Sequence, residues 1–71
     1  MDEMSLQDMY RYLFKEYPDV LNVNQVSNIL DVSTKTVYKL IQNSNLSAIK
    51  VGREFRIPKI FLLKYIKLLE R

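Results

Sequence analysis

Apolar side chains recur at helical spacing in several stretches of this 71-residue chain. Residues 5–17 have apolar side chains at positions 6, 9, 10, 13, 14 and 17, the spacing of one face of an α-helix. Ser5 with Asp8 forms a plausible N-terminal cap, and Pro18 ends the helix because it disfavours helical backbone at Tyr17. The pattern therefore predicts an amphipathic first helix over residues 5–17.

Two further helices are predicted over residues 23–30 and 34–43. Asn22 and Gln25 have the spacing of a capping box, and Ser33 is a suitable N-cap for the next helix. Asp31 tolerates the left-handed conformation that ends a helix. Two helices joined by three residues match the helix-turn-helix unit. Its apolar positions are Val26, Leu30, Val32, Val37 and Leu40, and Ser27 is small where the two helices approach each other.

Between residues 46 and 58 apolar and polar residues alternate, a period of two residues. This alternation predicts a β-hairpin around Gly52, the only glycine of the sequence. A two-residue turn at Gly52-Arg53 would mix charged residues into the apolar face of the hairpin. A three-residue loop over 52–54 instead pairs Val51 with Phe55 and Ile49 with Ile57. We therefore predict the three-residue loop, with one apolar face and with Lys50 and Arg56 together on the other.

Pro58 favours the first turn of a last helix over residues 59–71. Its apolar band is wider than one-sided packing needs, so we expect the first helix or a second chain to cover the excess. The predicted fold is mainly α with a small two-stranded β-hairpin, a winged helix-turn-helix in the order α-α-α-β-β-α. Residues 1–71 form one domain, in which residues 21–66 are the winged module and residues 5–17 an added N-terminal helix.

Charge is divided unevenly along the chain. The net charge of +3 splits into −4 over residues 1–31 and +7 over residues 32–71. This asymmetry predicts a basic face for nucleic acid or acidic lipid on the second half. The basic side chains of the last helix are weaker candidates for contact with nucleic acid and serve mainly to keep that helix soluble. They are Lys59, Lys64, Lys67 and Arg71.

Missing residue types exclude several kinds of chemistry. The chain has no Cys and no His, hence no disulfide framework, thiolate zinc site, imidazole metal site or His-based triad. We expect no metal, no cofactor, no small-molecule substrate and no enzymatic activity. No run of about 18 apolar residues is present, and the acidic N-terminus lacks the order of a signal peptide. The expected location is the cytoplasm, with no membrane association.

The predicted elements suit recognition of double-stranded DNA. A helix fits the major groove, and a basic hairpin tip fits the minor groove, whose negative potential favours Arg. Hydroxyls at a helix start suit phosphate oxygens. The candidate phosphate contacts are Ser33, Thr34 and Thr36. The candidate contacts to base edges or flanking phosphates are Lys35, Tyr38, Lys39 and Gln42. The candidate wing contacts are Lys50, Arg53 and Arg56.

Three stretches resemble the excisionase-type, MerR-like winged helix-turn-helix family: LNVNQVSNILDVS at 21–33, TVYKLI at 36–41 and AIKVGREFRIP at 48–58. The resemblance implies DNA contacts from the residues at 33–36, 38 and 39 and from Arg53 and Arg56. Two positions depart from the family. Asp31 replaces the usual turn Gly, and Ser44 replaces the Gly that commonly ends the recognition helix, so we expect Asn43 or Asn45 to be left-handed there.

The resemblance implies a small excisionase, or recombination directionality factor, of a prokaryotic mobile element. Such a protein binds repeated sites on DNA, bends the DNA, assists an integrase or recombinase, and associates with itself along the nucleoid DNA. A small transcriptional regulator with the same DNA-binding mode is the alternative. A third alternative is a winged module that binds other proteins, which the acidic first helix and the apolar last helix would suit.

Overall fold

The structure, a computed structural model, describes residue 11 and residues 15–69. Its elements follow the predicted winged helix-turn-helix order, preceded by one additional short strand. They are β1 (Val20–Leu21), α1 (Val23–Leu30), α2 (Thr34–Gln42), β2 (Ile49–Val51), β3 (Glu54–Pro58) and α3 (Lys59–Leu69). Arg11 is helical, but residues 15–17, predicted to end the first helix, form a turn and a bend. The other residues of that predicted helix lie outside the described residues, as do residues 70–71.

Side chains cap the start of α1, and backbone hydrogen bonds close its end. The Asn22 side chain accepts a hydrogen bond from the Gln25 amide at 2.8 Å, and the Gln25 side chain accepts one from the Asn22 amide at 2.9 Å. This is the predicted capping box. At the other end Asp31 is left-handed, with φ of 59°, and the Val32 amide donates to the Ser27 carbonyl at 3.0 Å. The tight reversal that this produces separates α1 from α2 by three residues.

The end of α2 differs from the expectation. Ser44, and neither Asn43 nor Asn45, is left-handed, with φ of 63°. The Asn45 amide donates to the Leu40 carbonyl at 2.9 Å, the hydrogen bond that closes a helix across a left-handed residue. In this motif the left-handed residue is the one directly before the donor amide, which here is Ser44. The hydrogen bond therefore requires the left-handed conformation at Ser44, although serine has a side chain.

A third strand, which the sequence did not predict, completes the sheet. The strand order is β1-β3-β2, with β3 antiparallel to both neighbours. Leu21 pairs with Ile57, both fully buried, and the Lys59 amide donates to the Asp19 carbonyl at 2.9 Å. The two residues of β1 are too few to show an alternating pattern. The central strand β3 also packs against α1 and α3.

The predicted hairpin register is wrong. Ile49 pairs with Arg56, Lys50 with Phe55 and Val51 with Glu54, which leaves a two-residue turn at Gly52-Arg53. Gly52 has φ of 63° and stands first in the turn, the position at which a type II′ turn requires glycine. A three-residue loop would require left-handed backbone at its last residue, Glu54, which is unfavourable for that side chain.

This register redistributes the side chains of the wing, residues 49–58. Directly paired residues share a face, so Lys50 lies on the inner face with Phe55, and Arg56 lies on the outer face with Ile49. The prediction that Lys50 and Arg56 share one face is therefore wrong. Ile49 and Val51 are 50% and 57% exposed, because β2 is an edge strand that extends beyond the core.

The core lies between the helix-turn-helix, the sheet and α3. Its buried apolar residues are Leu21, Val23, Val26, Val37, Leu46, Ile57, Leu62 and Leu63. Val32, predicted to hold the helical unit together, is 38% exposed because the turn directs it outward. Lys59, predicted to be a surface residue, is 4% exposed, since it follows β3 directly at the junction with α3. Among the described residues, the helices are too short or too polar to cross a membrane.

Replacing Ser44 with glycine should stabilise the fold. A left-handed residue with a side chain costs about 1–2 kcal/mol, and the extra freedom of glycine in the unfolded chain offsets about half of that. We expect Ser44→Gly to raise the free energy of unfolding by about 0.5–1 kcal/mol in urea titrations followed by circular dichroism. Ser47→Gly, at an exposed residue outside the left-handed region, should lower it instead. Equal effects of the two substitutions would contradict this assignment.

Candidate nucleic-acid interface

One side of α2 carries polar side chains away from the core. Val37 is fully buried and faces the core, whereas Lys35, Tyr38, Lys39 and Gln42 are exposed. Spacings of three, four and seven residues place these four side chains along one helical face. They form the exposed stripe of α2, on the side of the helix away from Val37.

Hydroxyl groups surround the start of α2. The Ser33 Oγ accepts a hydrogen bond from the Thr36 amide at 3.2 Å and lies 3.1 Å from the Thr36 Oγ1. Ser33 is thus the predicted N-cap, and Thr34 is half-buried beside it. The Ser33 hydroxyl holds the helix start in place and is exposed, so an anion can approach the first amides of the helix from this side.

The three basic residues of the wing differ in their surroundings. Arg53 lies in the turn at the tip and is exposed. The Arg56 Nη1 lies 2.7 Å from the Glu54 Oε1, and the two side chains are 42% and 68% exposed. An exposed ion pair of this kind contributes about 0–1 kcal/mol to stability. Its main effect is to hold both side chains on the outer face of the wing.

An aromatic contact joins the wing to α2. The ring centroids of Tyr38 and Phe55 are 6.1 Å apart, with an interplanar angle of 58°. The Lys50 Nζ lies 5.5 Å from the centroid of the Phe55 ring, within the range of a cation–π interaction. Lys50, Phe55 and Tyr38 therefore form a continuous row from the inner face of the wing to the exposed stripe. Phe55, predicted only as an apolar hairpin residue, is the link in this row.

Positive charge is concentrated on these elements. Residues 32–53 contain Lys35, Lys39, Lys50 and Arg53 and no carboxylate. An unbalanced group of cations raises the local positive potential and attracts polyanions. The structure also places Thr34, Tyr38 and Arg53 around one cleft, so the start of α2 and the tip of the wing open in the same direction.

Comparison with known proteins agrees with this architecture. A family model described as a helix-turn-helix domain matches residues 20–67, more than half of the chain. The chain belongs to this helix-turn-helix domain family.

Two curated relatives come from Mycobacterium tuberculosis: "Putative DNA-binding protein MT0521" of strain CDC 1551 / Oshkosh and "Putative DNA-binding protein Rv0500A" of strain ATCC 25618 / H37Rv. Each is 45% identical to the chain over 38 residues, covering 54% of this chain and 49% of the relative. The chain thus spans about half the length of the curated relatives it matches. No solved structure matches the chain.

The Tyr38–Phe55 contact should hold the wing against α2. Tyr38→Ala removes this contact, whose packing is worth about 0.5–1.5 kcal/mol, whereas Tyr38→Phe retains both rings. We expect amide hydrogen exchange over residues 50–56, measured by nuclear magnetic resonance, to accelerate in Tyr38→Ala and to remain unchanged in Tyr38→Phe. Equal exchange rates in the two variants would show that the ring contact does not restrain the wing.

Proposed function

We propose that this protein binds double-stranded DNA, with α2 in the major groove and the wing in the adjacent minor groove. The observation that carries the proposal is the row of Lys50, Phe55 and Tyr38, which holds a basic hairpin beside the exposed stripe of α2. A helix of this diameter fits the major groove, and a cationic tip such as Arg53 suits the electronegative minor groove. In this role the protein is a binding module without a reaction of its own.

The proposed contacts divide into three groups by their chemistry. The first group donates hydrogen bonds to phosphate oxygens from hydroxyls at the start of α2, those of Ser33, Thr34 and Thr36. The exposed stripe of α2 reaches base edges and flanking phosphates, through Lys35, Tyr38, Lys39 and Gln42. The wing contacts the minor groove and its phosphates, through Lys50, Arg53 and Arg56. Arg53 has the most direct access, because Lys50 lies over Phe55 and Arg56 is paired with Glu54.

The comparisons support the class of partner. The helix-turn-helix family match covers both the predicted recognition helix and the wing, and the two mycobacterial relatives carry DNA-binding in their names. Since the chain spans about half of each relative, this support concerns the shared segment. A protein with this function works where prokaryotic DNA lies, in the cytoplasm at the nucleoid.

The finer role that we propose is that of an excisionase-type accessory protein that assists an integrase and associates with itself along DNA. It is supported by the sequence resemblance over residues 21–58. Footprinting on the DNA that flanks its own gene tests this role. Protection of repeated sites at the end of a mobile element is expected, whereas protection of a promoter alone would indicate a transcriptional regulator.

Single alanine substitutions should separate the DNA contacts from general charge effects. Lys35→Ala and Lys39→Ala are expected to weaken duplex binding by about 1–3 kcal/mol where the side chain reads a base. Arg53→Ala should weaken binding and lower the dependence of log K on log salt by about one unit. The measurement is fluorescence anisotropy with a labelled duplex over a range of salt concentrations.

Lys64→Ala is the matched control, because it removes one exposed cation from α3, outside the proposed interface. It should change affinity less than any of the three interface substitutions. Equal losses from all four variants would indicate attraction by net charge alone. No change in Lys35→Ala, Lys39→Ala or Arg53→Ala would refute the proposed contacts.

A further inference from the structure

A polar cleft of about 300 Å³ lies between α2, the wing and the start of α1. Thr34 and Tyr38 contribute one wall from α2, and Arg53 and Phe55 contribute the facing wall from the wing. The third side comes from α1, where Asn24 lies one position after the first residue of the helix. No sequence motif pointed to Asn24, since it is an exposed polar residue in an amphipathic helix.

The geometry of duplex DNA indicates which part of the duplex would lie over this cleft. In B-form DNA a sugar–phosphate strand separates the major groove from each adjacent minor groove. If α2 occupies one groove and the wing the next, the strand between the grooves crosses the gap between α2 and the wing. The cleft is that gap, so this argument rests on the proposed function.

The chemistry of the cleft suits a phosphodiester. The Asn24 amide, the Thr34 and Tyr38 hydroxyls and the Arg53 guanidinium all carry hydrogen-bond donors. Side chains of these types make many of the phosphate contacts in protein–DNA complexes. Asn22 also borders the cleft, but its side-chain oxygen accepts the Gln25 amide at 2.8 Å and serves the helix cap.

Glu54 is the acidic residue at the rim of the cleft. It shares the outer face of the wing with Arg56, and its Oε1 lies 2.7 Å from the Arg56 Nη1. The ion pair offsets the negative charge and holds the carboxylate on the face opposite Phe55. Glu54 therefore borders the cleft with its carboxylate paired to Arg56, and the hydrogen-bond donors of Asn24, Thr34, Tyr38 and Arg53 remain in the lining.

We propose that this cleft binds one backbone phosphodiester of double-stranded DNA and that Asn24 is a DNA-contacting residue. The contact adds a third element, α1, to the two that reach into the grooves. Asn24 carries no charge, so its contribution is a directed hydrogen bond. Such a contact fixes the register of the protein on the duplex and carries no base preference.

Asn24→Asp tests the proposal, since it replaces the amide donor with a carboxylate of the same shape. An acidic residue in the first turn is favourable for a helix, so the fold should be retained or slightly stabilised. We expect duplex affinity at low salt to fall about tenfold, because a like charge faces a phosphate at close range. Thermal unfolding followed by circular dichroism verifies that the variant is folded.

Asn28→Asp is the matched control, because it adds the same charge to the same helix at an exposed residue one turn further on. Its affinity should fall much less. If the wild-type protein binds duplex DNA and Arg53→Ala weakens that binding, equal affinities of Asn24→Asp and Asn28→Asp would overturn the cleft assignment while the proposed function stands. If the wild-type protein binds no duplex at low salt, the proposed function itself fails and the cleft assignment fails with it.

Single-stranded DNA of equal length provides the second arm. It carries the same phosphodiesters but no grooves that would place a strand over the cleft. Asn24→Asp and Asn28→Asp are expected to bind it with equal affinity. If Asn24→Asp bound single-stranded DNA more weakly than Asn28→Asp by the same factor as on duplex DNA, the assignment of the cleft to the strand between two grooves would be overturned.

Discussion

The register of the wing hairpin determines which side chains face α2. A two-residue turn, allowed by the positive φ of Gly52, places Lys50 opposite Phe55 and turns both toward the inner face. Phe55 then meets Tyr38, and Ile57 on the same face reaches the core. A shift of one residue would reverse the faces of β2 and separate Lys50 from this row. The relative position of helix and wing, on which any groove-spanning contact depends, follows from that single turn.

The remaining constraints hold α2 in place and leave its outer face polar. Left-handed residues at Asp31 and Ser44 end the two helices of the unit, and Ser33 caps the start of α2. These caps are local and use backbone amides, so they require nothing from the exposed stripe. Val37 supplies the buried anchor on the other side. Packing and capping use residues other than the cations of residues 32–53. These cations therefore remain on the surface, where they raise the positive potential that attracts a polyanion.

Local rules predicted the two helices of the helix-turn-helix unit well and the register of the hairpin poorly. Capping residues and apolar periodicity determine α1 and most of α2, so the bounds of these helices follow from neighbours in sequence. The register failed because an apolar face was assumed to be buried, whereas Ile49 and Val51 lie on a projecting edge strand. Strand β1 has only two residues and depends on pairing with distant Ile57. Asn24 and the cleft were beyond prediction because three separate elements form that surface.

The most direct test of the account is a duplex titration of isotopically labelled protein, followed by amide chemical shifts. Shift changes should concentrate in residues 33–42 and 50–56, with a smaller group at the start of α1. The amides around Lys64 and Lys67 should remain unchanged. Changes centred on α3 with α2 unaffected, or no changes with any duplex at low salt, would contradict the claim that α2 and the wing together form the DNA-binding surface.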